Sequence, residues 1–525
     1  MSRPPFAQRR PLLLSAFFAC LVILIAGGTG IYVLSDRGLG DAFSLVRVAT
    51  LIDRLYQDEV DWEQLTEAGL SEMFSHLDRY SGYVEPRRWD RLREELGGSY
   101  TGIGVSVLGH DDGLLIMSVR EDGPAAAAGI LSGDIIIKVD SIWLTGLDVY
   151  EATDVLRGPE GTEVSLKLVR PINNDTSSVN IRRRKIDLVH IPFAGFTPDS
   201  AIYVRLLDFD AGATRDLKKA LDSLLAKPGV RPIGVILDLR GNPGGLFAEA
   251  YETASLFLDK GRFIVGTDGR SRWSQERHYS RGPDITAGLP LAIIVDRGSA
   301  SSSEIVAGSL SQLGRAILVG DTTFGKGLVQ GFDRLYDGSA VRLTISRYFL
   351  ADSLYLNLFD SALNEIGSGL PPDYPIRFAE QGAFPRALER SLLLAPFAAR
   401  YQEEIIAASD HFELDDSWLN KFEQYALGHG FEYRSATTER AQTMLELVIQ
   451  RDLGRAARRI AETILERSGQ HDGTLFARYG PYIKMRLKQM ALERKHGSYT
   501  AYLKAVVPSR PDIKLAAQLL KSTTP

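Results

Sequence analysis

Four serines crowd one short stretch of this sequence, Gly298-Ser299-Ala300-Ser301-Ser302-Ser303-Glu304, between an apolar run from Leu291 to Val295 and a helix-like pattern from Ser302 to Leu313. A serine where a strand meets a helix can set its Oγ beside amides that the helix start leaves without partners, and such amides can hold a developing oxyanion. The same residues would serve as helix caps, with Glu304 in the first turn. Residue type alone therefore leaves Ser299, Ser301, Ser302 and Ser303 all open as nucleophiles. A second stretch, Asp238-Leu239-Arg240-Gly241-Asn242-Pro243-Gly244-Gly245, also follows an apolar run and ends in two glycines that can turn amides toward one point. A third, Thr322-Thr323-Phe324-Gly325-Lys326-Gly327-Leu328-Val329-Gln330, places one lysine between two glycines in apolar company. At its free pKa of about 10.4 a lysine is charged at neutral pH; desolvation lowers that value toward the range of a general base. Gln330 carries no charge, and its amide can hold the amine in position. A surface lysine in a glycine turn would look the same, but a phosphate loop would not, because GxxxxGK followed by Ser or Thr is absent.

The elements that must position these groups follow from apolar periodicity. From Ala201 onward, strand-like runs (Ile202 to Leu207, Ile233 to Leu239, Leu291 to Val295, Ala316 to Val319) alternate with helical patterns (Ala211 to Leu225, Ala248 to Leu258, Ser302 to Leu313). Uninterrupted apolar strands alternating with helices predict a largely parallel sheet covered on both faces, with its site at the carboxyl ends of the strands. All three stretches lie at such ends. Upstream, residues 41–97 read as helices, and residues 98–184 as a small strand-rich domain with glycines at nearly every junction. From about residue 384 to 525 the pattern is helical, with no chemistry in evidence.

Composition removes several functions. The net charge of -5 and pI near 6.0 give no support to nucleic-acid binding. The single cysteine, Cys20, and eight scattered histidines with no HExxH pair predict neither a disulfide nor a metal, and no cofactor is implied. Leu12 to Leu34 is free of charge and, at about 1.5 Å per residue, long enough to cross a bilayer. Arg3, Arg9 and Arg10 precede it, so residues 1–11 are expected in the cytoplasm and everything after the span on the periplasmic or extracytoplasmic side. With no clear small-residue cleavage site, a signal anchor in the inner membrane is the expectation.

The set GSASSSEIVAGSL at 298–310, TTFGKGLVQ at 322–330 and DLRGNPGG at 238–245 resembles the carboxyl-terminal processing peptidases, or tail-specific proteases, of peptidase family S41. The resemblance implies that the serine following the alanine, Ser301, is the nucleophile, Lys326 the base and Gln330 its companion. It also implies an oxyanion hole made by the amide of Ser302 and a glycine of the NPGG loop, taken as Gly245. Tyr100-Thr101-Gly102-Ile103-Gly104-Val105, with Gly123-Pro124-Ala125 and Ala128-Gly129-Ile130, resembles the PDZ domain of these enzymes. There Thr101, Gly102, Ile103 and Gly104 would receive a terminal carboxylate while the next strand accepts an extended peptide. Arg157, in Leu156-Arg157-Gly158-Pro159, would couple PDZ and peptidase. Phe349 to Tyr355 departs from the proline-glycine turn usual in the family, and the resemblance stops at about residue 376.

The expected protein is therefore multidomain, of α+β and α/β class. It comprises a transmembrane helix (12–34), a helical region (41–97), a PDZ domain (98–184), an αβ sandwich-like serine peptidase core (185–376) and a C-terminal helical domain (384–525). Its expected partners are proteins or peptides with free C-terminal tails, the membrane, and a second copy or an adaptor through the helical tail. Two rivals stand beside it. A catalytically inactive PDZ scaffold would not need the Ser301, Lys326 and Gln330 set, and an esterase-type α/β hydrolase would show GxSxG, which is absent around Ser301.

Overall fold

The computed structural model describes residues 37–120, 122–170, 175–351, 354–356, 369–376, 382–409 and 414–523. The expected membrane span, the cytoplasmic tail before it and Cys20 lie outside the described residues. Among the described residues no helix is long and apolar enough to cross a membrane.

The chain divides into two units, Met1–Leu77 and Asp78–Pro525. The first shows two helices, Arg37–Leu55 and Trp62–Ser75; Asp61 caps the second by accepting the Gln64 N–H at 3.0 Å. Phe43, Val46, Leu51 and Leu55, which recur at helical spacings, are exposed. The purely helical reading of residues 41–97 fails in the second unit, where Gly82–Val84 is a strand paired antiparallel with Ala340–Arg342. So short a strand has no periodicity to display; it forms because a longer strand offers its edge.

The strand-rich domain is one sheet in the order Val105–His110, Gly113–Val119, Ile135–Val139, Glu163–Arg170, Asp175–Arg182, with Ile142–Trp143 alongside the third. Glu163–Arg170 alternates strictly at its start, burying Val164, Leu166 and Leu168 against Ile116, Ile136, Ala152 and Leu156. Ala152 and Leu156 belong to the helix Val149–Leu156, whose start is fixed by Asp148 and Glu151 in a reciprocal capping box. At the base of the domain, Ser99–Gly102 pairs antiparallel with Arg184–Asp187.

Beyond it, a six-stranded sheet runs in the order Phe193–Phe196, Ile202–Arg205, Val235–Asp238, Leu291–Val295, Ala316–Gly320, Tyr374–Pro375, parallel from the second strand onward. One face, carrying Val204, Leu237, Ile293 and Leu318, packs on the helices Ala213–Leu225, Phe247–Ser255 and Ser302–Gln312. A second, antiparallel sheet (Gly82–Val84, Ala340–Phe349, Phe263–Asp268, Arg277–Tyr279, with Leu328–Arg334 on Ala340–Phe349) lies beyond those helices. It contributes Ile264, Val265 and Tyr348 to the same core.

The tail divides. Residues 383–501 gather helices around an aromatic core in which Phe384 meets Phe476, and Phe397 meets Phe422, edge to face at 5.1 and 5.2 Å. Past a break at Gly497 the chain crosses to the parallel sheet, and the reading of 384–525 as one separate domain ends there. Ile513, Ala516, Ala517 and Leu520 recur at helical spacing on the helix Pro511–Thr523 and cover Ile236, Ala292, Ile294 and Val319 on the sheet's second face. Burying Ile513 and Leu520 stabilises by about 1.5–3 kcal/mol each. The stripe is visible in sequence; what it covers is not.

Candidate active site

Three loops at the carboxyl ends of the parallel strands meet. Leu291–Val295 is buried throughout, and the chain leaves it through Asp296, whose Oδ1 accepts the N–H groups of Gly298 and of Gly241 at 2.9 Å each, tying two loops together. Ala300 N–H then reaches the Asn242 carbonyl at 3.0 Å. Next, Ser301 is held at φ 54° and ψ −111°, a backbone region that costs a non-glycine residue about 1–3 kcal/mol. The helix that follows is buried over Ser302–Leu310, so its packing enforces that conformation.

The four serines, equivalent by residue type, separate here. Ser299 Oγ donates to the Leu239 carbonyl (2.8 Å), Ser303 Oγ to the Asn242 carbonyl (2.8 Å) and Ser302 Oγ to the Gly245 carbonyl (3.2 Å). Each is occupied in stitching the helix start to the glycine loop. Ser301 Oγ donates to no carbonyl among the described residues; it belongs instead to the capping box that Ser301 and Glu304 form at the helix start. Beside it, the Ser302 and Gly245 N–H groups are without acceptors among the described residues, whereas Gly244 N–H is taken by Asn242 Oδ1 at 2.9 Å. Gly244 is needed for space instead: at φ 100° a Cβ there would stand 2.9 Å from Ser301 Cβ and 3.0 Å from Ser302 N.

Lys326 Nζ donates to Gln330 Oε1 at 3.2 Å and lies 5.2 Å from the centre of the Tyr80 ring. Gln330 Nε2 donates to the Tyr80 carbonyl at 2.6 Å, and because a carbonyl cannot donate, that bond leaves the amide oxygen for the lysine. Burial pushes the amine below the ordinary lysine value; the Arg342 guanidinium adds to this, and Glu304 and Asp78 oppose it. No hydrogen bond joins Lys326 Nζ to Ser301 Oγ among the described residues.

What joins the serine and lysine loops is Glu304, which sequence reasoning left as a helix-start acid. Its Oε2 accepts Ser301 N–H (2.9 Å) and Lys326 N–H (2.8 Å), and its Oε1 accepts Gly325 N–H (2.7 Å) and Thr323 Oγ (2.6 Å). Burial raises its pKa, and these four donors oppose the rise. Tyr348, fully buried, adds a second tie through its hydroxyl, which donates to the carbonyls of Lys326 (2.7 Å) and Ser301 (3.3 Å). The acid at the third residue past Ser301 was a usable signal for Glu304; nothing local pointed to Tyr348 or Tyr80.

In the strand-rich domain the expected carboxylate site separates as well. Thr101 and Gly102 belong to the strand Ser99–Gly102, opposite Lys185 and Arg184. Ile103 and Gly104 form the turn into Val105–His110. Their carbonyls accept from Ala125 and Arg120 at 2.9 Å each, and their N–H groups have no acceptor among the described residues. Val105–His110 is an edge of its sheet. The start of the helix Val149–Leu156 lies beside it, Val149 Cβ being 3.6 Å from where a Cβ on Gly109 would sit. Arg157 caps that helix and reaches Glu94 and Glu95 at 3.7 and 3.5 Å, with its guanidinium 5.3 Å from the Tyr100 ring. It bridges to the helix Pro86–Leu96 rather than to the serine or lysine loops.

Residues 200–358 match the sequence model of peptidase family S41, and residues 101–182 that of a PDZ domain. The carboxy-terminal-processing protease of Bartonella bacilliformis is 33% identical over 336 residues, 64% of this chain and 73% of its own length. The chain belongs to the carboxy-terminal processing proteases of family S41. The carboxy-terminal processing protease CtpA of Bacillus subtilis is 31% identical over 350 residues, 66% of this chain and 73% of the relative. This peptidase is thus a serine-type enzyme with a PDZ domain, and the helical tail beyond residue 376 lies outside both matched regions.

Proposed function

We propose that this peptidase is a membrane-anchored endopeptidase that cuts extracytoplasmic proteins near their C-terminal tails, with Ser301 as nucleophile, Lys326 as general base and Gln330 holding the amine. The observation that carries the reading is the difference among the four serines: three donate their hydroxyls to carbonyls of the glycine loop, while Ser301 donates to none and neighbours the Ser302 and Gly245 amides, which lack acceptors among the described residues. In the reaction the neutral Lys326 amine takes the proton of Ser301 Oγ as that oxygen bonds to the scissile carbonyl carbon. The oxyanion is held by the Ser302 and Gly245 amides. Lys326 returns the proton to the departing amine as the C–N bond breaks, and water then attacks the acyl-enzyme by the same route. The chemistry requires Nζ to turn from Gln330 toward Ser301, a bond that tightens as substrate fills the site.

The PDZ domain supplies the polarity of attack. A tail pairing along Val105–His110 would bring its terminal carboxylate to the Ile103 and Gly104 amides. Arg157, ion-paired with Glu94 and Glu95, would hold that domain in register with the core. The uncharged segment 12–34 would anchor the enzyme in the inner membrane with the catalytic part outside the cytoplasm. The helical tail would serve a second copy or an adaptor. The test is to incubate full-length protein in detergent with a disordered substrate bearing a free apolar C terminus and to follow intact mass. Loss from that end by wild type and none by Ser301→Ala is the expected result; cleavage by Ser301→Ala overturns the assignment.

A further inference from the structure

The glycine loop that offers Gly245 begins at a buried cluster of charges, and part of that cluster comes from the tail. Asp238 is fully buried at the end of its strand. Arg240 donates to it through Nε (2.8 Å) and Nη2, and through its own backbone N–H (3.0 Å). Tyr203 OH donates to Asp238 Oδ2 at 2.6 Å. Arg240 Nη1 also forms an ion pair, 2.6 Å long, with Asp512 Oδ2 in the first turn of the helix Pro511–Thr523. Arg510 holds the same carboxylate at 3.0 Å. Tyr502 joins from the tail too: its hydroxyl lies 3.0 Å from Tyr203 OH and accepts from Arg205 Nη1 at 3.0 Å. Asp238, Arg240, Arg510 and Asp512 are all buried, two of each sign. A first-turn acid usually does no more than favour its own helix. Here it is the only one of those four beyond Arg510 that the tail lends to the core.

Two residues past Arg240, Asn242 does three things. Its carbonyl holds Ala300 N–H beside Ser301 and Ser303 Oγ, its Oδ1 holds Gly244 N–H, and its Nδ2 donates to the Leu206 carbonyl at 3.1 Å. The position of the 238–242 segment therefore sets where both the Gly245 amide and Ser301 sit. We infer that Asp512 is a positioning residue of the catalytic centre: through Arg240 it fixes the glycine loop, making the tail helix a working part of the peptidase although it lies outside the family-matched region. The inference rests on the reading of Ser301 and Gly245 given above.

The experiment compares full-length wild type, Ser301→Ala and Asp512→Asn in detergent on one peptide substrate, with thermal melts and the affinity of a peptide aldehyde whose hemiacetal oxygen occupies the oxyanion site. Asp512→Asn is expected to lose about 10- to 100-fold in kcat with KM within about twofold, and to lose aldehyde affinity in parallel, because a small displacement of an oriented group is costly. Cooperative melting is expected to persist. Unchanged kcat, or activity that falls only with the folded fraction, overturns the inference. Should Asp512→Asn not fold, Arg510→Gln reads the same link by removing the partner that steadies Asp512, and an unchanged kcat there overturns it equally. Cleavage by Ser301→Ala would fell the underlying reading, whereas an inactive Ser301→Ala beside a fully active Asp512→Asn fells this inference alone.

Discussion

Glu304 holds Lys326 by its backbone and not by its ammonium: Oε2 accepts the Lys326 N–H at 2.8 Å, while Nζ is bonded to Gln330. An ion pair at that distance would favour the charged amine and abolish its use as a base. The carboxylate fixes the loop that carries Lys326, while burial lowers the pKa of its amine.

The pH profile of the enzyme should report that lowering. As the proposed base Lys326 would work deprotonated, and burial lowers its pKa, so kcat/KM is expected to rise with pH through a value below the free lysine figure of about 10.4. Lys326→Arg should be inactive across the whole range, because a guanidinium does not release its proton. Steady-state kinetics from pH 5 to 10 checks both.

Glu304→Gln replaces an acceptor of four hydrogen bonds with a group that must present an NH2 to some of the same donors. Unsatisfied buried donors cost about 1–3 kcal/mol each. A lower melting temperature is expected, together with a fall in kcat of about 100-fold as both loops lose their shared anchor. Thr323→Val, which removes one donor, should cost less on both measures.

Gly244→Ala should abolish cleavage, since the added Cβ meets Ala300 O and Ser301 Cβ at 2.9 Å where the backbone already has φ 100°. Gly241→Ala, three residues earlier in the same loop, is the control. Its φ of 68° is also positive, but nothing lies within 4 Å, so a stability loss of about 1 kcal/mol with activity retained is expected. Melting curves and kcat separate the two.

Asp210 gives stability an unusual slope. Burial, helped by Asp208, Glu95 and Glu249 and opposed by His190, raises its pKa to about 7. Between about pH 4 and 7 the folded chain thus binds a proton that the unfolded chain has released, and stability falls as pH rises. His190, raised chiefly by its hydrogen bond to Asp208, acts in the same direction as pH climbs past about 6.5. Asp210→Asn is expected to stabilise by about 1 kcal/mol at pH 8, discounted for the exposed part of the group, and by less at pH 5. Melting temperatures at the two values test this.

The parallel sheet and the three loops at its strand ends were legible because buried strands announce themselves as apolar runs and loops as glycine clusters. Choosing among the serines was beyond local pattern. What sets Ser299, Ser302 and Ser303 apart from Ser301 is their hydrogen bonds to carbonyls at residues 239, 245 and 242, which only the fold brings near. Gly82–Val84 was hidden because its order comes wholly from a partner strand more than 250 residues away. Tyr80, which steadies Gln330, sits two residues before it and was hidden for the same reason. The helical tail was read correctly as helix and wrongly as apart, since an amphipathic stripe specifies an apolar contact without saying against what.

The second face of the parallel sheet is closed by Ile513, Ala516, Ala517 and Leu520. During synthesis the strands precede the helix that shields them, so Ile236, Ala292 and Ile294 lack that cover until Pro511–Thr523 has been made. A chain interrupted before residue 511 would carry the parallel sheet with that apolar face bare, a surface prone to aggregation.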